Sequence, residues 1–366
     1  MGTFEKQMRT RPVPFLLPWP GKPAPSSPGL LLLLLLLAVI FISGCESLED
    51  LFEKDPDNLP YSQFLLPEVP PNPPEAGEVR LGSLYYADTR YQFLVPVKRT
   101  IPWVEGIATY TLMQLFPSPE SAADLQKLGL TTVLPAQTEV IGMTINEGLA
   151  RVDLNSNFLN YPPEHERLVL GSILCTLRQF PTIETVEIVV EGESIDRFPG
   201  GAPGRLPLGP ECYINLEMDE TVEDYRNYTA VRLFFCYSTP VNRTLYVPVT
   251  RILPPLPLED VPGAAIQELL QGPRKGSGLF SDIPAGTELR SINVADSLAK
   301  LDFSEELLTY EGGRSGAENM VNQILLTLSS LEGIEQVQIT VDGAGITLEG
   351  LDLTAPLTPP EVYNYF

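Results

Sequence analysis

The chain has 366 residues, with 47 acidic against 24 basic side chains, one histidine and four cysteines. A net charge of −23 argues against nucleic acid as a partner and against attraction to anionic lipid headgroups or wall polymers. One histidine and scattered cysteines offer no pair at metal-ligand spacing, so neither a zinc site nor any other cofactor is expected.

The apolar run Leu30 to Ile42 holds 13 residues, against the about 20 that a membrane-crossing helix needs. Lys6, Arg9, Arg11 and Lys22 precede it, the positive flank of a secretory signal. The sequence Ile42-Ser43-Gly44-Cys45 then places two small residues before a cysteine. This resembles the bacterial lipobox, which makes residues 1–44 a lipoprotein signal peptide and Cys45 the lipidated N-terminus. Acyl chains contribute about 0.8 kcal/mol per buried CH₂, so several of them hold a protein to a membrane. An ordinary signal peptide or short membrane helix beside a bystander cysteine is the alternative. Without residues 1–44 the chain keeps 20 basic and 46 acidic residues, a net of −26, so attachment through Cys45 is what would keep it at the membrane.

Residues 45–78 read as a tether: positions 46–78 hold nine acids, one lysine and seven prolines. Such chain extends at about 3.1 Å per residue, so it reaches roughly 100 Å.

Two blocks then repeat each other, 79–192 and 231–350. "VRLGSLYYADTRYQFLVPVKRTIP" from Val79 is set against "VRLFFCYSTPVNRTLYVPVTRILP" from Val231, with Pro96 answering Pro248. "AQTEVIGMTINEGLARVDLN" from Ala136 pairs with "AGTELRSINVADSLAKLDFS" from Ala285, and "IETVEIVVEG" from Ile183 with "IEQVQITVDG" from Ile334.

Each block opens with two strands, near 80–87 and 92–98 and near 231–237 and 244–250. A helix follows over 104–116 and 261–271, ending at "FPSP" and "QGPRKG". A hairpin comes next, bending at Gly148 and around Asp296. Leu170, Ile173, Leu174 and Leu177 then form a helical stripe, as do Ala317, Val321, Ile324, Leu325 and Leu328 after Ser315, read as an N-cap. A strand closes each block, alternating at Val186, Ile188 and Val190 and at Val337, Ile339 and Val341. One-sided helices and strands predict an α+β fold, two tandem α/β sandwich domains in which a sheet is covered by two helices.

Residues 193–230, rich in glycine and proline, read as a linker in which "CYINLEMDETVEDYRNYTA" adds a short strand to one domain or the other. The tail 351–366 docks on the second domain or meets a partner. Cys175 and Cys236 sit in apolar patterns that suit buried thiols, and whether Cys212 and Cys236 pair stays open.

The chemistry-bearing residues are few. His165, in "PPEHER", has no counterpart in the second block. Asp153 and Asp302 occupy equivalent strand ends, which makes them either an acid pair or a shared turn position. The loop "QGPRKGSG" lacks the residue placement of a phosphate loop. Tyr85, Tyr86, Tyr91 and Phe93 form no regular line of aromatics for binding glycan.

The lipobox, "LLQGP", "IPAGTELRSI", "AKLDFS" and "TLSSLEGIEQVQITVDG" together resemble the GerM family of sporulation and spore germination lipoproteins. The likeness spans residues 79–350; the first block departs from it at "FPSPESAADLQKLGLTTVLPAQTE". It implies tandem domains similar to the ring-building motifs of secretion systems. It also implies a non-enzymatic lipoprotein outside the cytoplasmic membrane that supports a transenvelope complex, with envelope or sporulation proteins, or further copies of itself, as partners. A peptidoglycan-binding module and, behind it, a wall-modifying hydrolase are the alternatives.

Overall fold

The computed structural model describes residues 79–366, apart from 206, 210–213 and 219–227, and the described residues belong to one compact unit. Both the expected signal peptide and the tether lie outside them.

The first repeat begins with the antiparallel hairpin β1 (Val79–Asp88) and β2 (Leu94–Pro102). Asp88 shapes its turn: buried at the strand end, its carboxylate accepts hydrogen bonds from the N–H groups of Arg90, Gln92 and Phe93. Helices α1 (Ile107–Met113) and α2 (Pro119–Leu128) follow, then the short β3 (Leu130–Thr131), which extends the hairpin sheet. A second sheet runs in the order β4 (Val140–Asn146), β5 (Leu149–Leu154), β6 (Thr185–Val190), β7 (Glu193–Ser194), with helix α3 (Glu166–Leu177) between β5 and β6. Strands β5 and β6 are parallel, as the helical crossover requires.

The second repeat has the same course. After β8 (Leu216–Met218) come the hairpin β9 (Thr229–Ser238) and β10 (Thr244–Leu253), α4 (Val261–Leu270), β11 (Leu289–Ala295), β12 (Leu298–Phe303), α5 (Gly313–Ser329), β13 (Gln336–Val341) and β14 (Ala344–Gly345). The α+β class is as expected, but each repeat divides its strands between two sheets where one was anticipated. Helix α3 packs on β1 and on β6, so both sheets share one core.

Polar residues on these central helices explain the division. Ser172 and Thr176 on one face of α3, and Gln179 just past its end, hydrogen bond the open edge of β1. Ser172 Oγ donates to Tyr85 O (2.6 Å), Tyr85 N–H donates to Thr176 Oγ1 (3.3 Å), and Gln179 both accepts from Ser83 N and donates to Ser83 O (2.9 Å each). The second repeat places Gln323, Thr327 and Ser330 at the same positions against Phe234 and Arg232. Side chains thus satisfy buried backbone groups where another strand would otherwise pair.

These contacts also correct the strand comparison. Tyr85 lies opposite Pro96 as Phe234 lies opposite Pro248, so β1 and β9 correspond three residues away from the Val79/Val231 match. The extra residues enlarge the second hairpin.

Three further differences are local. The helix expected over 104–116 is confined to Ile107–Met113, and α2 occupies a stretch for which no element was expected. A capping box between Ser118 and Ser121, Pro119 in the first turn and Gly129 at φ 67° define α2, and the second repeat has no equivalent to reveal it. Helix α5 starts at Gly313 after Gly312 in the left-handed region, so Ser315 lies inside its first turn.

Candidate functional site

Two asparagines define a seam between the repeats. Asn215 accepts from Leu94 N and donates to Leu94 O and to Pro248 O, each at 2.7 Å. Asn364 accepts from Tyr246 N (2.8 Å) and donates to Tyr246 O (2.7 Å) and Pro96 O (2.8 Å). Leu94 corresponds to Tyr246 and Pro96 to Pro248, so the two clamps are related by an internal two-fold. Both asparagines hold φ near +50°, a region their short amide side chain tolerates.

The clamps sit on exchanged arms. The arm after the first repeat pairs as β8 with β10 of the second, and the arm after the second repeat runs parallel to β2 of the first, with Lys98 N donating to Asn364 O (2.9 Å) and Phe366 N to Lys98 O (3.0 Å). The tail therefore docks on the first repeat as well as the second. Leu245 and Val247 of β10 enter the first repeat's core, and Tyr237 donates to Gly129 O (2.9 Å).

The expected linker is likewise structured where it is described. Leu208 bridges to Val186 as Leu357 bridges to Val337, and Phe198 is buried against Phe158. Glu166, buried at the start of α3, accepts from Ala202 N (2.8 Å), from Gly200 N and from Tyr161 Oη (3.2 Å). Burial and this carboxylate push the Tyr161 phenol above its usual range.

The residues singled out for chemistry have structural work. Asp302 Oδ1 accepts from Gly343 N (2.7 Å) and Thr340 Oγ1 (2.8 Å), and these bonds hold its carboxyl below the usual range. Asp153 Oδ1 accepts from Gly192 N (2.9 Å), the equivalent contact. The pair closes the same turn in each repeat. His165 stacks on Tyr91, centroids 4.2 Å apart. Tyr86 and Phe93 are buried and Tyr85 is half-buried, so they form no exposed aromatic line. The "QGPRKGSG" loop meets the first repeat's hairpin turn, where Arg90 and Gln92 donate to Ser277 O and Gly276 O (3.5 Å each). Cys175, half-buried rather than buried as expected, and the buried Cys236 form no disulfide, and burial pushes the Cys236 thiol up. Cys45 and Cys212 lie outside the described residues. No group of three or more His, Cys, Asp or Glu placed to hold a metal occurs among the described residues, and no helix there is long and apolar enough to cross a membrane.

The chain is 28% identical over 298 residues to the spore germination protein GerM of Bacillus subtilis (strain 168), covering 79% of this chain and 80% of that protein. Its structure is similar to that of the tandem GerMN domains of the Bacillus subtilis sporulation protein GerM, with a TM-score of 0.66 at 28% identity, over 79% of this chain and 99% of the other. A sequence model of the Germane family, described as "Sporulation and spore germination", matches residues 83–196 and 232–347. Those two segments are the two repeats found here, together more than half of the sequence, and the chain belongs to the Germane family.

Proposed function

We propose that the chain is a lipoprotein anchored through Cys45, acting outside the cytoplasmic membrane in sporulation and spore germination. It supports assembly of a transenvelope protein complex and does so without catalysis. The similarity to GerM's tandem domains across both repeats carries this reading. The turn-closing bonds of Asp153 and Asp302 favour a structural role for the acid pair over an enzymatic one. The cluster of small residues before Cys45, and the acidic tether behind it, supply the anchor and the reach. In the cell this places the folded repeats between mother cell and forespore, held at a distance from the membrane.

Complementation of a null strain tests the reading. Counts of heat-resistant spores should be restored by the parent chain and by Asp153→Asn with Asp302→Asn, provided that variant folds, and should stay low with Cys45→Ala. Full rescue by Cys45→Ala would remove the anchor from the account, and sugar release from peptidoglycan that the aspartate variant loses would make the protein a hydrolase.

A further inference from the structure

The two repeats finish their second sheets differently. Strands β4 and β11 are the equivalent outer strands, and among the described residues each is paired on one side only, by β5 and by β12. An edge strand presents unpaired N–H and C=O groups to any extended chain, and proteins blunt such edges with charge. The second repeat does so: Arg290 stands in β11 and is bonded to Asp342 at 2.7 Å. At the equivalent position of β4 stands Ile141, 53% exposed. The sequence Val140 to Asn146 holds no charge and no proline.

The apolar surface continues beyond the strand. Met143 touches α1 through Thr109 Oγ1 (3.6 Å to Sδ); α1 presents Tyr110 (37% exposed) and Met113 (51%), and β4 presents Ile145 (42%), as β11 presents Val294 (40%). On the outward face of α4 in the second repeat the exposed residue is Gln267. The ends of the β4 edge carry acids: Glu139 before the strand, Glu147 in the turn after it, and Glu184, whose carboxyl lies against that turn at Gly148, while Arg151, opposite Thr144 on β5, is paired with Glu187 at 3.7 Å.

We propose that the open edge of β4 with the α1 face is a strand-addition site for a protein partner, which it takes as an extended segment, apolar at alternate positions and flanked by lysine or arginine. Backbone pairing along β4 supplies affinity, and the apolar shelf with its acidic rim selects the side chains. A second copy of this chain is the poorer occupant, because its own β4 edge carries the same acids and the whole chain is strongly negative. The inference rests on the assembly reading above and names the surface and partner chemistry for it.

The test uses the full chain in detergent and a labelled synthetic peptide of alternating valine and threonine with a lysine pair at each end. Fluorescence anisotropy should show saturable binding, and amide exchange of residues 140–146 should slow when the peptide is present. Ile141→Arg, the charge that the other repeat carries, should weaken binding by about tenfold or more with an unchanged melting curve. Ile145→Lys serves as the second variant should the first fold poorly. Equal binding by these variants, equal binding of a peptide with glutamate ends, no saturable binding, or a concentration-dependent dimer that Ile141→Arg abolishes would each overturn the proposal. Spore counts separate the two readings: an Ile141→Arg strain that sporulates normally removes this edge from the function and leaves anchored assembly standing.

Discussion

Replacing Asn364 by alanine removes three hydrogen bonds at the seam, to Pro96 O, Tyr246 O and Tyr246 N. Asn364 is buried, so water cannot take over these groups without the arm lifting. At about 0.5–1.5 kcal/mol net for each bond, the loss comes to roughly 2–4 kcal/mol. Alanine at φ 53° adds about 1 kcal/mol of backbone strain. Asn364→Gly relieves that strain while losing the same bonds, so it should fall between the parent and Asn364→Ala. Asn364→Asp keeps the acceptor for Tyr246 N but sets a carboxylate against two carbonyl oxygens, and should be no better than alanine. Urea unfolding of the chain from residue 46 onward measures all three. An alanine variant within about 0.5 kcal/mol of the parent, or a glycine variant less stable than alanine, would refute the view that this clamp holds the arm.

The polar edge contacts and turns give further tests. Gln179→Leu strips Ser83 N and O of their partner and should cost about 2–4 kcal/mol in the same assay, whereas an effect near zero would mean that the β1 edge is otherwise satisfied. Gly316→Ala should destabilise by about 1–3 kcal/mol, because a Cβ there would meet Glu311 O at 1.8 Å; a neutral result would show that the start of α5 yields. Asp302→Asn should lower stability at neutral pH. The folded carboxyl titrates below its unfolded value, so its contribution is present above the unfolded pKa and is lost as pH falls through the folded one. The gap between parent and variant should therefore close in acid, and a gap constant from neutral pH to below that range would contradict the turn-closing role.

The sequence made the repeat and its elements legible because periodicity is local. The stripes Leu170, Ile173, Leu174, Leu177 and Ala317, Val321, Ile324, Leu325, Leu328 are all buried as expected. Helix α2 had its own start and stop signals in Ser118, Pro119 and Gly129, yet comparison with a repeat that lacks it hid them. The three-residue error in matching β1 to β9 has a physical origin: apolar strands look alike at several registers, and only the opposing strand fixes which is right. The exchanged arms were not legible, since Asn215 and Asn364 read as ordinary polar residues in proline-rich segments. Their partners lie 33 to 268 residues away and are backbone groups, which leave no mark in the sequence. The β4 edge was half legible: its uncharged run is visible, but its position at a sheet edge is not.

The most direct measurement of the central claim is the size and composition of the particle that carries this chain when envelopes of sporulating cells are solubilised in mild detergent. The account predicts a lipid-modified chain in a complex of defined stoichiometry with envelope proteins, well above the 40.3 kDa of the full 366-residue sequence. A chain that elutes alone throughout sporulation, without lipid at Cys45, would contradict it.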